Sequence, residues 1–220
     1  MNLLLSYPRS GNTWFRYCIE SLTKKPTIGY TTKNSANFDK NPIGHFSNIG
    51  VDLSANKILV KRHETNSVED VEKLILVVRD YKECVIRHSE KKKVDISDLK
   101  KACSSSESSK NYMQMIKYYD EFKGDKFIVY YEDLVNNLEN TLRAIIKFLG
   151  EGEDNLDSFI KELDNHKEES LKIYGSSKTR GKSIKHHSNK LTEEQKKEWD
   201  NYIKDNYRNL FDKYLKRYEE

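Results

Sequence analysis

The chain reads as an α/β protein: a single domain over residues 1–220, with a parallel sheet flanked by helices. Three observations predict this. Four short apolar runs, at residues 2–7, 57–62, 74–79 and 126–131, are nearly continuous, as strands buried on both faces are. Segments with helical period follow most of them, and such alternation builds parallel sheets. The length suits one domain with one core.

Taken in order, the first run ends in "SYPRSGNTW", after which a helix starts near Asn12. Trp14, Phe15, Cys18, Ile19 and Leu22 recur at three- and four-residue steps along one face of it. Residues 24–56 are rich in Gly, Asn, Thr and Pro and carry little period, so they read as irregular. The strands at 57–62 and 74–79 follow, then a polar stretch at 91–111 that includes "CSSSESSK". After the fourth strand, a helix over 137–149 has Leu138, Leu142, Ile145, Ile146 and Leu149 as its stripe. Asn136 and Glu139 are spaced as a capping box, and Gly150 stops the helix. A last helix starts at Thr192, capped with Gln195, and directs Trp199, Tyr202, Ile203, Leu210, Phe211, Tyr214 and Leu215 inward, with a break near Asn206.

Composition narrows the function classes. Basic residues number 39 and acidic residues 35, a net charge of +4, which argues against nucleic acid as partner and for a local basic pocket. Cys18, Cys84 and Cys103 are odd in number and lack metal-ligand spacing, which points away from a disulfide framework and toward a reducing compartment. The apolar run in "MNLLLSYPRS" is too short for a signal peptide or membrane anchor. The expectation is a soluble, cytoplasmic protein without a membrane partner. Adjacent His186 and His187 read as surface residues, and no residue pattern calls for a metal.

The loop at residues 6–14 is suited to an anion. A strand, a tight turn and a helix N-terminus gather backbone N–H groups at one point, and the helix dipole adds positive potential. Gly11 permits close backbone approach, Ser10 and Thr13 offer hydroxyls, and Arg9 offers a charged fork. This is not a Walker A loop, since Asn-Thr-Trp follows the glycine where Lys-Ser/Thr would stand.

"SYPRSGNTW" resembles the 5′-phosphosulfate loop of the sulfotransferases that use 3′-phosphoadenosine 5′-phosphosulfate (PAPS). "LVKRHE", "LILVVRDYKECVIRHS" and "FIVYYEDL" resemble that family's later motifs in order and spacing. The resemblance implies a P-loop-like sulfotransferase fold, PAPS as donor and adenosine 3′,5′-bisphosphate as product, without a metal. It implies that residues 9–14, Arg9, Ser10, Gly11, Asn12, Thr13 and Trp14, hold the phosphosulfate end. Trp14 stands where the family meets adenine, although a core role fits it equally. His63 stands as the general base with Glu64 as competitor, and Lys61 steadies the sulfuryl oxygens beside Arg9. Arg79 takes the 3′-phosphate. The family often has serine where this chain has Arg87; Arg87 is favoured as second ligand over Ser89. Tyr131 lies near adenine, and Glu132 and Asp133 brace the following helix. Arg180, Gly181 and Lys182 resemble the segment that closes over the 3′-phosphate.

The acceptor is a hydroxyl or amine on a small molecule or carbohydrate, met by residues 24–56 and 91–118. There Phe38, Phe46, Met113 and Met115 either line an apolar slot or pack locally. The alternatives are a P-loop nucleotide kinase or NTPase, for which Asp80 is poorly placed to hold magnesium, and a catalytically inactive nucleotide-binding regulator. Oligomeric state is not readable.

Overall fold

The computed structural model describes residues 1–29, 57–65, 70–92, 111–174 and 187–219. Among them, five parallel strands form one sheet in the order β2-β3-β1-β4-β5. The strands are β1 (Asn2–Ser6), β2 (Thr27–Gly29), β3 (Leu59–Arg62), β4 (Lys73–Val78) and β5 (Asp125–Tyr130). Four are the apolar runs of the sequence. β2 is an addition, since three residues are too few to carry a readable period. Tyr7, Arg79 and Tyr131 each fall one residue past a strand rather than inside it.

The helices are α1 (Asn12–Thr23), α2 (Tyr81–Lys92), α3 (Tyr112–Glu121), α4 (Asp133–Asn136), α5 (Leu138–Leu149), α6 (Leu156–Lys161), α7 (Leu163–Tyr174) and α8 (Glu193–Leu210). Side chains of the central strands alternate between two cores, as period two requires. Leu3, Leu5, Leu74, Leu76 and Val78 face α2, α3 and α8, whereas Leu4, Ile75 and Val77 face α1, α5 and α6. Met113 and Met115 of α3 are buried in the first of these cores, which settles them as packing residues. Phe38, Phe46 and Cys103 lie outside the described residues. Cys18 and Cys84 are buried, free thiols.

Edge strand β2 is tied to α1 by a buried polar cluster. Arg16 donates from Nε to Thr27 Oγ1 at 2.8 Å and from Nη2 to the Thr27 carbonyl at 2.7 Å. The Thr27 N–H donates to Glu20 Oε1 at 2.8 Å. An arginine and a glutamate thus share one threonine, which brings the two buried charges to the same point of the interior.

Helix ends follow the sequence in two of three cases. Gly150, at φ 79°, closes α5 with its N–H on the Ile146 and Lys147 carbonyls. Thr192 and Gln195 form the expected capping box on α8, whose backbone breaks at Tyr207, one residue after Asn206. The Asn136–Glu139 box is absent. Asn136 ends the short helix α4, Asn137 is the N-cap of α5, and Glu139 instead pairs with Arg143 at 3.1 Å. Tyr202 is also turned outward, at 36% exposure. None of the described helices is long and apolar enough to cross a membrane.

The chain after α8 returns to the strand ends. Lys82, fully buried, donates from Nζ to Asp200 Oδ1 at 2.9 Å and to the Tyr218 carbonyl at 2.7 Å. Tyr218 donates to Glu132 at 2.6 Å, and Arg217 grips Asp133 through two bonds of 3.1 and 2.9 Å. Glu132 and Asp133 therefore brace the C-terminal turn, where the sequence suggests the next helix. Contacts between such distant residues leave no local pattern.

The capping box on α8 gives a direct stability test. Thr192→Ala removes the side-chain acceptor for the Gln195 N–H and is expected to cost about 1 kcal/mol in urea denaturation, with m unchanged.

Candidate functional site

β1 lies between β3 and β4, and the chain reverses its direction of spread across the sheet at this strand. Ligands of open α/β sheets bind beyond the carboxyl ends of the strands at such a switch point. In the register, Leu5 pairs with Arg62 and Leu76, and Val78 pairs with Tyr130. His63, Tyr7, Arg79 and Tyr131 therefore leave the sheet along the same edge.

The loop between β1 and α1 has the form of an anion cradle. Arg9 and Gly11 take positive φ angles of 75° and 87°. For Gly11 this is ordinary, and for Arg9 it is a strained conformation held by its surroundings. The Ser10 N–H turns back to the Tyr7 carbonyl at 3.2 Å, and the Phe15 N–H reaches the Gly11 carbonyl at 3.1 Å to open α1. No side chain caps that helix, which leaves its first N–H groups for a ligand. Thr13 and Asn12 are half-buried there. Ser10 behaves differently from expectation: its buried hydroxyl lies 3.4 Å from Cys84 Sγ on α2, so it faces a protein partner. Trp14 is 3% exposed and stacks on Tyr17 with ring centroids 5.7 Å apart, which makes it part of the core beside Leu4 and Phe15.

Tyr131 forms the opposite wall. Its ring fills the space a Cβ on Gly11 would need; such an atom would stand 3.1 Å from Tyr131 Cγ and closer still to the ring edge. The Arg79 guanidinium lies over the same ring, 4.3 Å from its centroid. Arg79, 2% exposed, also donates to the Arg9 carbonyl at 3.4 Å and pairs with Glu83 at 3.2 Å. A buried arginine needs such company, and cation–π contact with charge pairing supplies it.

Arg87 stands one helical turn beyond Glu83 on α2 and 3.9 Å from the same Glu83 oxygen. It is 24% exposed on the side chain. Burial, then the neighbouring Arg79, pulls its pKa below the usual arginine value; Glu83 opposes this and Arg9 adds a little to it. Ser89 is buried, and it is turned by about 200° from Arg87 around α2. Arg87, and not Ser89, thus shares a face with Arg79 and Glu83.

His63 sits just beyond β3 with Nδ1 2.5 Å from the Ser6 carbonyl. A carbonyl only accepts, so Nδ1 carries the proton and Nε2 is the accepting nitrogen in the neutral ring. Burial pushes the His63 pKa down to about 3, Lys61 adds to the fall, and the Ser6 carbonyl opposes it. Lys61 is two residues earlier on the same face of β3 and half-buried. Glu64 follows, also half-buried.

Arg180, Gly181, Lys182 and His186 lie outside the described residues. The turn that follows them is held at this site: Glu83 accepts the N–H groups of His187 and of Ser188, the latter at 3.0 Å. Among the described residues, no group of three or more His, Cys, Asp or Glu is arranged for a metal ion. Asp80 is half-buried, with a pKa raised to about 6 by desolvation, and accepts the N–H of Lys82 at 2.9 Å. Glu83 and Cys84 are the site neighbours that sequence reasoning misses. The one available signal was the four-residue spacing of Arg79, Glu83 and Arg87 across the start of α2.

Comparison with known proteins yields a consistent family. The family model described as "Sulfotransferase domain" matches residues 2–219. A WSCD family member of Aedes aegypti is 29% identical over 165 residues, covering 68% of this chain and 50% of its own length. A WSCD family member of Drosophila pseudoobscura pseudoobscura is 28% identical over 164 residues, with the same two coverages of 68% and 50%. The chain spans about half the length of the curated relatives it matches. The solved structure of mouse sulfotransferase SULT7A1 complexed with PAP has a TM-score of 0.68 at 16% identity, covering 94% of this chain and 84% of that one. At that identity the likeness speaks for the fold.

The contact of Gly11 with Tyr131 is open to a clean test. Gly11→Ala adds a methyl at positive φ into the Tyr131 ring. It is expected to destabilise the protein by about 1–3 kcal/mol in thermal denaturation. Full stability in this variant would mean that the ring does not close on the loop.

Proposed function

The chain belongs to the sulfotransferase domain family, and on that basis we propose that it transfers a sulfuryl group from PAPS to a hydroxyl or amine of a small-molecule or carbohydrate acceptor. The observation that carries this reading is the meeting, at one sheet edge, of an uncapped helix N-terminus, three arginines and a neutral imidazole. The donor set fits PAPS. Two anionic ends call for two cationic groups of sites, and the loop with Arg9 and the pair Arg79 and Arg87 provide them. PAPS supplies an activated sulfuryl group on a phosphate that departs readily.

The chain's own part is binding, positioning and proton transfer. Arg9 and the first N–H groups of α1 would bind the 5′ end and stabilise the charge that grows on the departing phosphate. Arg79 and Arg87 would take the 3′-phosphate, with Tyr131 as a wall against the nucleoside. Lys61 would steady the sulfuryl oxygens. His63 would take the acceptor proton at Nε2, since Nδ1 is committed to the Ser6 carbonyl. Glu64, the next residue, is the second choice of base. Trp14 contributes to adenine recognition through the packing of α1 more than through an open ring face, because it is buried against Tyr17.

Calorimetry with the free nucleotides tests the donor. Adenosine 3′,5′-bisphosphate is expected to bind more tightly than AMP or ATP without magnesium, and a preference for magnesium-ATP would sink the reading. An acceptor screen with labelled PAPS then tests transfer.

His63→Ala is expected to keep bisphosphate binding and to lose transfer about a hundredfold. The same residue sets a pH expectation. Its pKa is depressed in the folded state, so the neutral, accepting form persists as pH falls through 6.5 toward 3. The acid limb of kcat/KM should accordingly lie well below pH 6.5. By the same linkage the unfolded chain takes up this proton first, and stability should decline as pH falls from about 6.5 toward 3. An acid limb at 6.5 would show that the base is a solvated group and not this imidazole.

A further inference from the structure

Glu83 is an unexpected residue to find between two phosphate-binding arginines. Its carboxylate is 2% exposed. Oε1 lies 3.2 Å from Arg79 Nη2 and 3.9 Å from Arg87 Nη1. Oε2 accepts the N–H groups of His187 and Ser188, so the carboxylate is fixed in place by backbone and cannot swing away. Arg87 follows Glu83 by one turn of α2, and Arg79, just before the helix, reaches the same carboxylate oxygen. A cluster built for maximal grip on a dianion would hold two positive charges there. This one holds a net single charge, because Glu83 cancels one guanidinium at close range.

We propose that Glu83 is a counter-charge that holds down the affinity of the arginine pair for the 3′-phosphate. This inference rests on the PAPS reading above, in which Arg79 and Arg87 meet that phosphate. The donor and the bisphosphate product carry the same 3′-phosphate, so extra grip on it stabilises ground state and product alike. Such uniform binding lowers KM without helping the chemical step, and it slows release of product. The carboxylate repels the phosphate dianion and occupies donors that would otherwise turn to it. Glu83 is thus a positioning residue: it aims Arg79 while setting how much charge the pair presents.

Calorimetry on four proteins tests this, using adenosine 3′,5′-bisphosphate and AMP as probes. Glu83→Gln keeps an acceptor oxygen for the turn and removes the charge. Its bisphosphate affinity is expected to rise about tenfold, a change of roughly 1.4 kcal/mol, with AMP affinity unchanged. In turnover, kcat and the PAPS KM should fall together. Damage to the fold would weaken binding instead. Glu83→Asp keeps the charge and should show no tightening. Arg87→Gln, at a partly exposed position, leaves Arg79 and Glu83 as a neutral pair and should sharply reduce the preference for bisphosphate over AMP. That variant decides the matter if Glu83→Gln fails to fold. Unchanged or weaker bisphosphate binding in Glu83→Gln, equal tightening in Glu83→Asp, or a preserved preference in Arg87→Gln would each overturn the proposal. If the wild-type protein itself shows no preference for bisphosphate over AMP, it is the PAPS reading that fails.

Discussion

A guanidinium buried at the end of a parallel sheet is the constraint from which the rest of this site follows. Arg79 cannot stand alone at that depth, and its neighbours are arranged around that need. The Tyr131 ring lies against its face, Glu83 takes one edge, and the Arg9 carbonyl takes another. Each of these partners is committed elsewhere as well. Tyr131 closes on Gly11, Glu83 holds the turn at residues 187–188, and Arg9 is the strained residue of the loop between β1 and α1. One buried charge thereby couples β1, β4, β5 and the start of the C-terminal region.

The second organising contact is on the other side of β1. The Ser6 carbonyl receives His63, whose backbone stands beside it in the parallel register. His63 and the loop after β1 therefore meet at the end of that strand, and the distance between them is set by sheet geometry. Lys61 and the buried cluster of Arg16, Thr27 and Glu20 extend this side of the sheet to its edge. The imidazole is neutral for a physical reason, the loss of water, and its tautomer is set by a backbone oxygen that no side-chain change can remove.

Much of the fold was legible because it is local. Apolar runs marked four strands, the stripe from Trp14 to Leu22 marked α1, and Thr192 with Gln195 marked the start of α8. The tight turn between β1 and α1 was legible for the same reason, since its residues are contiguous. The failures share a cause. β2 is three residues long and is defined by its partners Leu59, Val60 and Lys61. The Asn136–Glu139 pattern lost to an intervening turn of helix that ends α4. Tyr202 has the spacing of a core residue, but the stripe of α8 is narrower than the spacing alone suggests. Glu83 and Cys84 were hidden because their partners, at residues 187–188 and at Ser10, lie far along the chain. Spacing within a helix told which residues share a face and not what that face meets.

The bonds from Glu83 to the N–H groups of His187 and Ser188 also bear on the order in which the site comes into being during synthesis. The loop between β1 and α1 is made before Arg79 and its glutamate. For the next hundred residues that carboxylate has no backbone to hold. Tyr131 arrives midway and completes the wall, but the carboxylate is pinned only after Ser188 has emerged, and the braces from Arg217 and Tyr218 come later still. The cradle around Glu83 is therefore unfinished until residues 187 and 188 have been made.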